Sequence, residues 1–264
     1  MRILSFIFTL LLVVGIYTAQ AIDEGTLLLY LPFDDGAGKN PKDASGNGNK
    51  ASIEGNLKWV KGKFNGALEF DGDAANFVEV AHTADLEGMK QLTVEAWVQP
   101  FGTDALARGI VSKRAGWQAG DVYNLFSWNE SKFWARVNAK DGQQISSTST
   151  LENKKWMHLA YVYDGKTKKQ LLYVNGELEN EVDHPEAEVT RGEEPLWIGT
   201  LNQGYSQTWN GLIDEVRVWS SVLTEDDIKL SMAGELLPVQ PYGKATTTWG
   251  RIKMKPYISS TDVY

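Results

Sequence analysis

Alternation of apolar and polar residues dominates this chain, and helical spacing is scarce. Two-residue periodicity, and short apolar runs bounded by Gly, Asn and Asp, predict strands. They fall at 26–33, 67–70, 77–80, 92–99, 109–113, 122–128, 132–138, 143–148, 156–163, 170–174, 177–181, 196–199 and 212–219. Asp164-Gly165 and Asn175-Gly176 sit between alternating runs, where residues that tolerate positive φ predict hairpin turns. Residues 34–49 read as one long loop rich in Gly, Asn and Asp. A single short helix is predicted after the last strand, with Thr224 as its cap, Asp227 three residues on, and Gly234 beyond its end. Many antiparallel strands with Gly-rich turns predict an all-β fold, a two-sheet antiparallel sandwich or jelly roll. No internal repeat supports a propeller or solenoid.

The segment GLIDEVRVWSSVL, 211–223, carries one residue at odds with its own pattern. Read as an unbroken strand, it puts Leu212, Asp214, Val216 and Val218 on one face, with Ile213, Glu215, Arg217 and Trp219 on the other. A carboxylate among aliphatic neighbours is costly unless hydrogen-bonded, paired or bound to metal. Asp214 therefore requires a partner, either backbone amides or a cation.

The ends differ from the middle. Met1-Arg2, the apolar stretch 3–14 and the small residues Ala19-Gln20-Ala21 read as a secretory signal peptide over 1–21. That implies a domain over 22–236 and a protein that is secreted or held at the cell surface. Residues 237–264 hold three prolines and a small basic cluster and read as a tail. No second stretch is long enough to span a bilayer. The chain carries 26 Lys and Arg against 34 Asp and Glu, and removing 1–21 takes away Arg2 and no acid, which moves the net charge from −8 to −9. Such a balance argues against nucleic acid as a partner. With no cysteine, stability rests on the core.

Candidate chemistry is sparse. His82, His158 and His184 are scattered, with no triad or metal spacing around them. No GxSxG elbow is present. Glu95 has no acid two residues on, Asp214 and Glu215 point to opposite faces of the strand as read, and the acids of 225–227 suit a helix start. Catalysis is not expected. Binding is the more natural use of ten tryptophans, although most belong in the core. Trp117 lies in a Gly-flanked loop, and Trp134, Arg136 and Asn138 share one face of a strand. That face either offers a stacking ring with two hydrogen-bonding groups or packs under a neighbouring loop. Ligand identity is expected in loops such as 103–121 and 199–210.

Seven pieces occur in an order that resembles the LamG-like jelly-roll family of the concanavalin A-like lectin/glucanase superfamily. They are LPFDDGAGKNPKDASGNGNKASIEG, GKFNGALEFDG, LTVEAWVQP, WMHLAYVYDG, LLYVNGEL, LWIGT and GLIDEVRVWSSVLTEDDI, from about 27 to about 232. The resemblance implies a sandwich with adjacent first and last strands, and binding roles more often than catalysis. It also implies a structural Ca²⁺ between the domain start and the last strand. Asp34, Asp43 and Asp214 match those positions, and Ca²⁺ takes about six to eight oxygen ligands. The expected function is a secreted, non-catalytic module that binds a glycan or an extracellular protein. The alternatives are a glycoside hydrolase or lyase with an atypical acid arrangement, or a structural surface component.

Overall fold

The computed structural model describes residues 22–102, 104–116, 120–138, 143–202 and 207–235. The signal-peptide and tail segments and Trp117 lie outside the described residues. In chain order the strands are β1 (Leu27–Leu31), β2 (Ala51–Glu54), β3 (Lys58–Lys61), β4 (Gly66–Asp71), β5 (Phe77–Val80), β6 (Gln91–Pro100), β7 (Arg108–Arg114) and β8 (Asp121–Trp128). They continue with β9 (Lys132–Val137), β10 (Ile145–Thr150), β11 (Met157–Asp164), β12 (Lys169–Val174), β13 (Glu177–Asp183), β14 (Leu196–Ile198) and β15 (Asn210–Trp219). The helix α1 (Glu225–Met232) follows, with Thr224 and Asp227 capping each other reciprocally as the sequence predicts.

Two antiparallel sheets result, so the chain is an all-β sandwich. One runs β13-β12-β11-β6-β15-β4-β3, with β1 also paired to β15, and the other runs β10-β9-β8-β7-β14-β5-β2. The short strands β2 and β3 escape the sequence pattern. Their residues ASIE and KWVK, on a sheet edge, contribute few buried positions. The core between the sheets shows the expected alternation. In the second sheet Ala135, Leu125, Val111, Ile198, Val78 and Ile53 form one cross-strand row, all inside the core. The next row, Arg136, Asn124, Ser112, Trp197, Glu79 and Ser52, points outward. Each fully buried aliphatic or Phe side chain in that core contributes roughly 1.5–3 kcal/mol by leaving water.

The strand β15 corrects the face assigned to Asp214. Ile213, Val216 and Val218 lie in the core, and Leu212 does not. A bulge explains the shift: Asp214 pairs with Trp97 and Arg217 with Glu95, so three steps on β15 match two on β6. Glu215 is the extra residue, held at φ 55° in the left-handed region. A non-glycine residue there costs of order 1–3 kcal/mol. The bulge sits where the neighbour of β15 changes, since β4 pairs with its first half and β1 with its second. Asp214 consequently faces outward, away from the valines.

Candidate functional site

The outward side of the first sheet carries a buried polar network. Glu95, fully buried, accepts from Trp219 Nε1 at 3.0 Å and from Ser231 Oγ of α1 at 2.6 Å. His158 Nε2 lies 3.4 Å from its second oxygen. Arg217 donates to Glu215 and reaches Ser231 Oγ at 3.3 Å, while its guanidinium covers the Tyr30 ring at 4.2 Å. Tyr30 in turn donates to Glu215 at 2.9 Å. Burial pushes the Glu95 carboxyl up, but His158 and Arg217 outweigh it and hold the group below the usual range. Glu215 moves the other way, raised by burial against the pull of Arg217. Its charge partner and Tyr30 hold the strained bulge residue in place.

Asp214 finds its partner in the β3–β4 turn. Its Oδ2 accepts from the backbone amides of Lys63 at 2.9 Å and Phe64 at 3.1 Å. Gly62 is required there: a Cβ would lie 2.6 Å from that oxygen and 1.9 Å from the Gly66 carbonyl oxygen. Burial, with Glu215 adding to it, raises the Asp214 carboxyl to about 8 despite the two amides. Asp34 caps the other end of the turn, accepting from Gly66 N at 2.9 Å and Asn65 Nδ2 at 3.1 Å. Asp43 organises the 43–49 loop. It accepts from Tyr30 N, Ser45 N, Ser45 Oγ, Asn49 N and Asn49 Nδ2 at 2.7–3.1 Å.

The resemblance implies a calcium site at these three acids, and here each of them accepts hydrogen bonds from N–H or O–H donors of its own turn or loop. Among the described residues, no group of three or more His, Cys, Asp or Glu is placed to hold a metal ion. Among the described residues Asp34 and Asp214 brace the two ends of the β3–β4 turn, and Asp43 braces the 43–49 loop.

On the second sheet, Phe133, Ala135 and Val137 enter the core, so Trp134 and Arg136 point outward. Arg136 is buried and ion-paired to Asp121, which Arg114 approaches at 3.3 Å. Asn138 is spent on the 188–190 loop, donating to Glu188 O at 2.8 Å and accepting from Thr190 N at 2.6 Å. Ser112 Oγ donates to Leu201 O at 2.9 Å, so the segment after β14 folds over this part of the face. Trp134 differs. It stays half-buried, donates Nε1 to Trp128 O at 2.9 Å, and its ring lies 5.4 Å from that of the half-buried Trp128 at a tilt of 57°.

At the same end of the sandwich a cavity of about 120 Å³ opens where the chain crosses from β6 to β7. Its lining includes Pro100, Asp104, Arg108, Ser127, Leu151 and Trp209. Arg108 Nε meets both Asp104 oxygens at 3.1 and 3.0 Å, and its Nη1 donates to Thr208 O at 2.8 Å. The guanidinium holds the Asp104 carboxyl below the usual range against a smaller effect of burial. Sequence reasoning singled out the two loops that meet here but not these residues. Spacing alone does not mark an aspartate four residues before an arginine as a pair in a loop.

Several solved structures share this fold. The binding domain of Paraclostridial Mosquitocidal Protein 1 matches with a TM-score of 0.66 at 13% identity, over 80% of this chain and 52% of that one. Domain 4 of AbnA, a GH43 extracellular arabinanase from Geobacillus stearothermophilus solved in complex with arabinotriose, matches with 0.61 at 18% identity, over 78% of this chain and 98% of that one. The botulinum neurotoxin serotype D ligand binding domain, in complex with N-acetylneuraminic acid, matches with 0.64 at 14% identity, over 80% and 52%. The chain thus spans about half the length of the toxin domains it matches. No curated protein matches it. Among the described residues no helix is long and apolar enough to cross a membrane. The Laminin_G_3 model matches residues 71–229, from the end of β4 into α1, and the chain belongs to that family of the concanavalin A-like lectin/glucanases superfamily.

Proposed function

We propose that this chain is a non-catalytic carbohydrate-binding module, exported through residues 1–21, and that its ligand stacks on Trp134 and Trp128. The observation that carries the reading is the half-exposed tryptophan pair on an outward sheet face, beside a cavity lined by polar side chains. Sugar sites combine an aromatic face for the C–H side of the ring with a few fixed polar groups. The AbnA domain solved with arabinotriose, which the chain covers almost end to end, supports a saccharide as the ligand class. Catalysis has no comparable support: Glu95 and Glu215 are both buried and committed to Ser231, Trp219, Tyr30 and Arg217.

A glycan array with product analysis tests this. The expected outcome is binding of a neutral glycan without new reducing ends, and loss of that binding by at least about tenfold in Trp134→Ala, the size of roughly one stacking contact. Melting temperature checks that the variant is folded. Undiminished binding by Trp134→Ala, or release of product, overturns the reading.

A further inference from the structure

We propose, resting on the carbohydrate-binding reading above, that the cavity at the β6–β7 crossing is a subsite for one neutral sugar residue, gripped through a vicinal diol by Asp104 and Arg108. The two side chains are exposed enough to meet a ligand, 40% and 20%, yet fixed by each other. Leu106 N donates to Asp104 Oδ1 at 3.1 Å, and Thr208 O anchors one arm of the arginine. An arginine has five N–H donors, and Asp104 and Thr208 leave a second hydrogen on Nη1 and on Nη2. A carboxylate oxygen retains a further lone pair after each bond it accepts. One fixed acceptor beside one fixed donor is what two neighbouring hydroxyls require, since each can both give and take a hydrogen bond. Hydroxyls on adjacent ring carbons present that pair at a set spacing.

Charge selects against acidic sugars. The carboxylate of Asp104 already fills the fork of Arg108, so a uronate or sialate would meet a like charge instead of an open guanidinium. The apolar part of the wall, Pro100, Leu151 and Trp209, suits the C–H side of a ring. A volume of about 120 Å³ is several times the ~10–15 Å³ that one water requires, so the cavity admits a ring substituent or one residue, not a chain. The surrounding loops are held in place before any ligand arrives. Asn210 Nδ2 donates to Phe101 O, and Gly102 N to Asn153 Oδ1, both at 2.8 Å. Ser131 Oγ donates to Asp104 O at 3.1 Å, which joins the cavity wall to the hairpin between Trp128 and Trp134. An oligosaccharide lying on the tryptophans therefore has its end directed to this opening.

The test titrates the full chain with arabinotriose, xylotriose, cellotriose and trigalacturonate by calorimetry, using wild type, Asp104→Asn, Arg108→Lys and Trp134→Ala. The expected result is binding of at least one neutral trisaccharide, weakened tenfold or more by Asp104→Asn and by Arg108→Lys. Trigalacturonate should bind at least tenfold more weakly than that trisaccharide, and Asp104→Asn should narrow the gap. Asp104→Asn keeps the shape of the site, so an unchanged melting temperature separates lost recognition from lost folding. If Trp134→Ala abolishes binding while both cavity variants bind as wild type, the subsite is wrong and the tryptophan platform stands. If trigalacturonate binds more tightly than the neutral trisaccharides, the diol assignment is wrong. If wild type binds none of the four at millimolar concentration, both readings fall.

Discussion

The two outward faces of this sandwich carry similar residue types and put them to different ends. On the first sheet Glu95, His158, Glu215, Arg217 and Tyr30 are sealed beneath α1, with Asp214 next to them under the β3–β4 turn. On the second, the ion pair of Arg136 and Asp121 is equally buried, but the face opens toward Trp128, Trp134 and the cavity. The difference lies in what covers each sheet. Where the chain supplies its own cover, through Ser231 and the amides of Lys63 and Phe64, polar groups become internal fasteners. On the second sheet, by contrast, Trp128 and Trp134 are only half-buried among the described residues. Similar residue types are therefore sealed on one face and partly exposed on the other, and the cover over each sheet makes the difference.

The largest expected effect breaks the closed face. Glu95→Ala leaves Trp219 Nε1 and Ser231 Oγ without their buried acceptor and strips Arg217 of one of its two buried negative neighbours, and removing one member of such a group costs about 3–5 kcal/mol. Urea unfolding should show a loss of unfolding free energy of that size, whereas Trp134→Ala on the second sheet should move binding and leave the unfolding free energy nearly alone. Equal losses at the two positions would erase the distinction between the faces.

A second effect is set by pH. The Asp214 carboxyl is raised to about 8 in the folded chain, so the folded state holds a proton that the unfolded state releases near 4. Its stabilising contribution is complete below about pH 4 and is lost as pH rises toward 8, a fall of a few kcal/mol at most. Glu95, held below its ordinary range, works in the opposite sense and loses its contribution only on acidification. Chemical denaturation between pH 5 and 8 should therefore show declining stability in wild type and a flatter profile in Asp214→Asn, whose amide oxygen can still accept from Lys63 and Phe64. An identical slope in both proteins would place the proton elsewhere.

The smallest effects concern the loop start. Asp43→Ala removes five donated hydrogen bonds from a carboxylate and is expected to cost about 1–3 kcal/mol, because the freed amides partly reach water. A divalent chelator should leave the melting temperature unchanged if the five donors around Asp43 are the whole of its support. A chelator-induced drop that Asp43→Ala abolishes would restore a metal to this loop.

Much of the fold was legible in the sequence, because alternation over 92–99, 122–128 and 156–163 follows directly from one face meeting a shared core. The capped helix was legible for the same local reason, with Thr224 and Asp227 three residues apart. The site was much less so. Trp134 was placed on its outward face by strand parity, but whether Arg136 and Asn138 are free depends on Asp121 and on Glu188 and Thr190, which are distant or unpatterned partners. Asp214 failed for a different reason. Parity was carried through 212–219 without a break, and only the pairing of β15 with β6 reveals the additional residue. The need for a partner followed from chemistry; which way the side chain points did not.

That additional residue has one more consequence. Without Glu215 the sequence Ile213-Asp214-Val216-Arg217-Val218-Trp219 alternates in and out without interruption, opposite Val98 to Thr93. Length change in a central strand ordinarily throws every later side chain onto the wrong face. Here the strand behaves like a text with one surplus letter: striking out Glu215 or Val216 restores the frame, but only the first leaves a valine, and not a carboxylate, at the core-facing position. Glu215 is thus a place where the strand can change its length and keep its parity, at the expense of the buried partner of Arg217 and Tyr30.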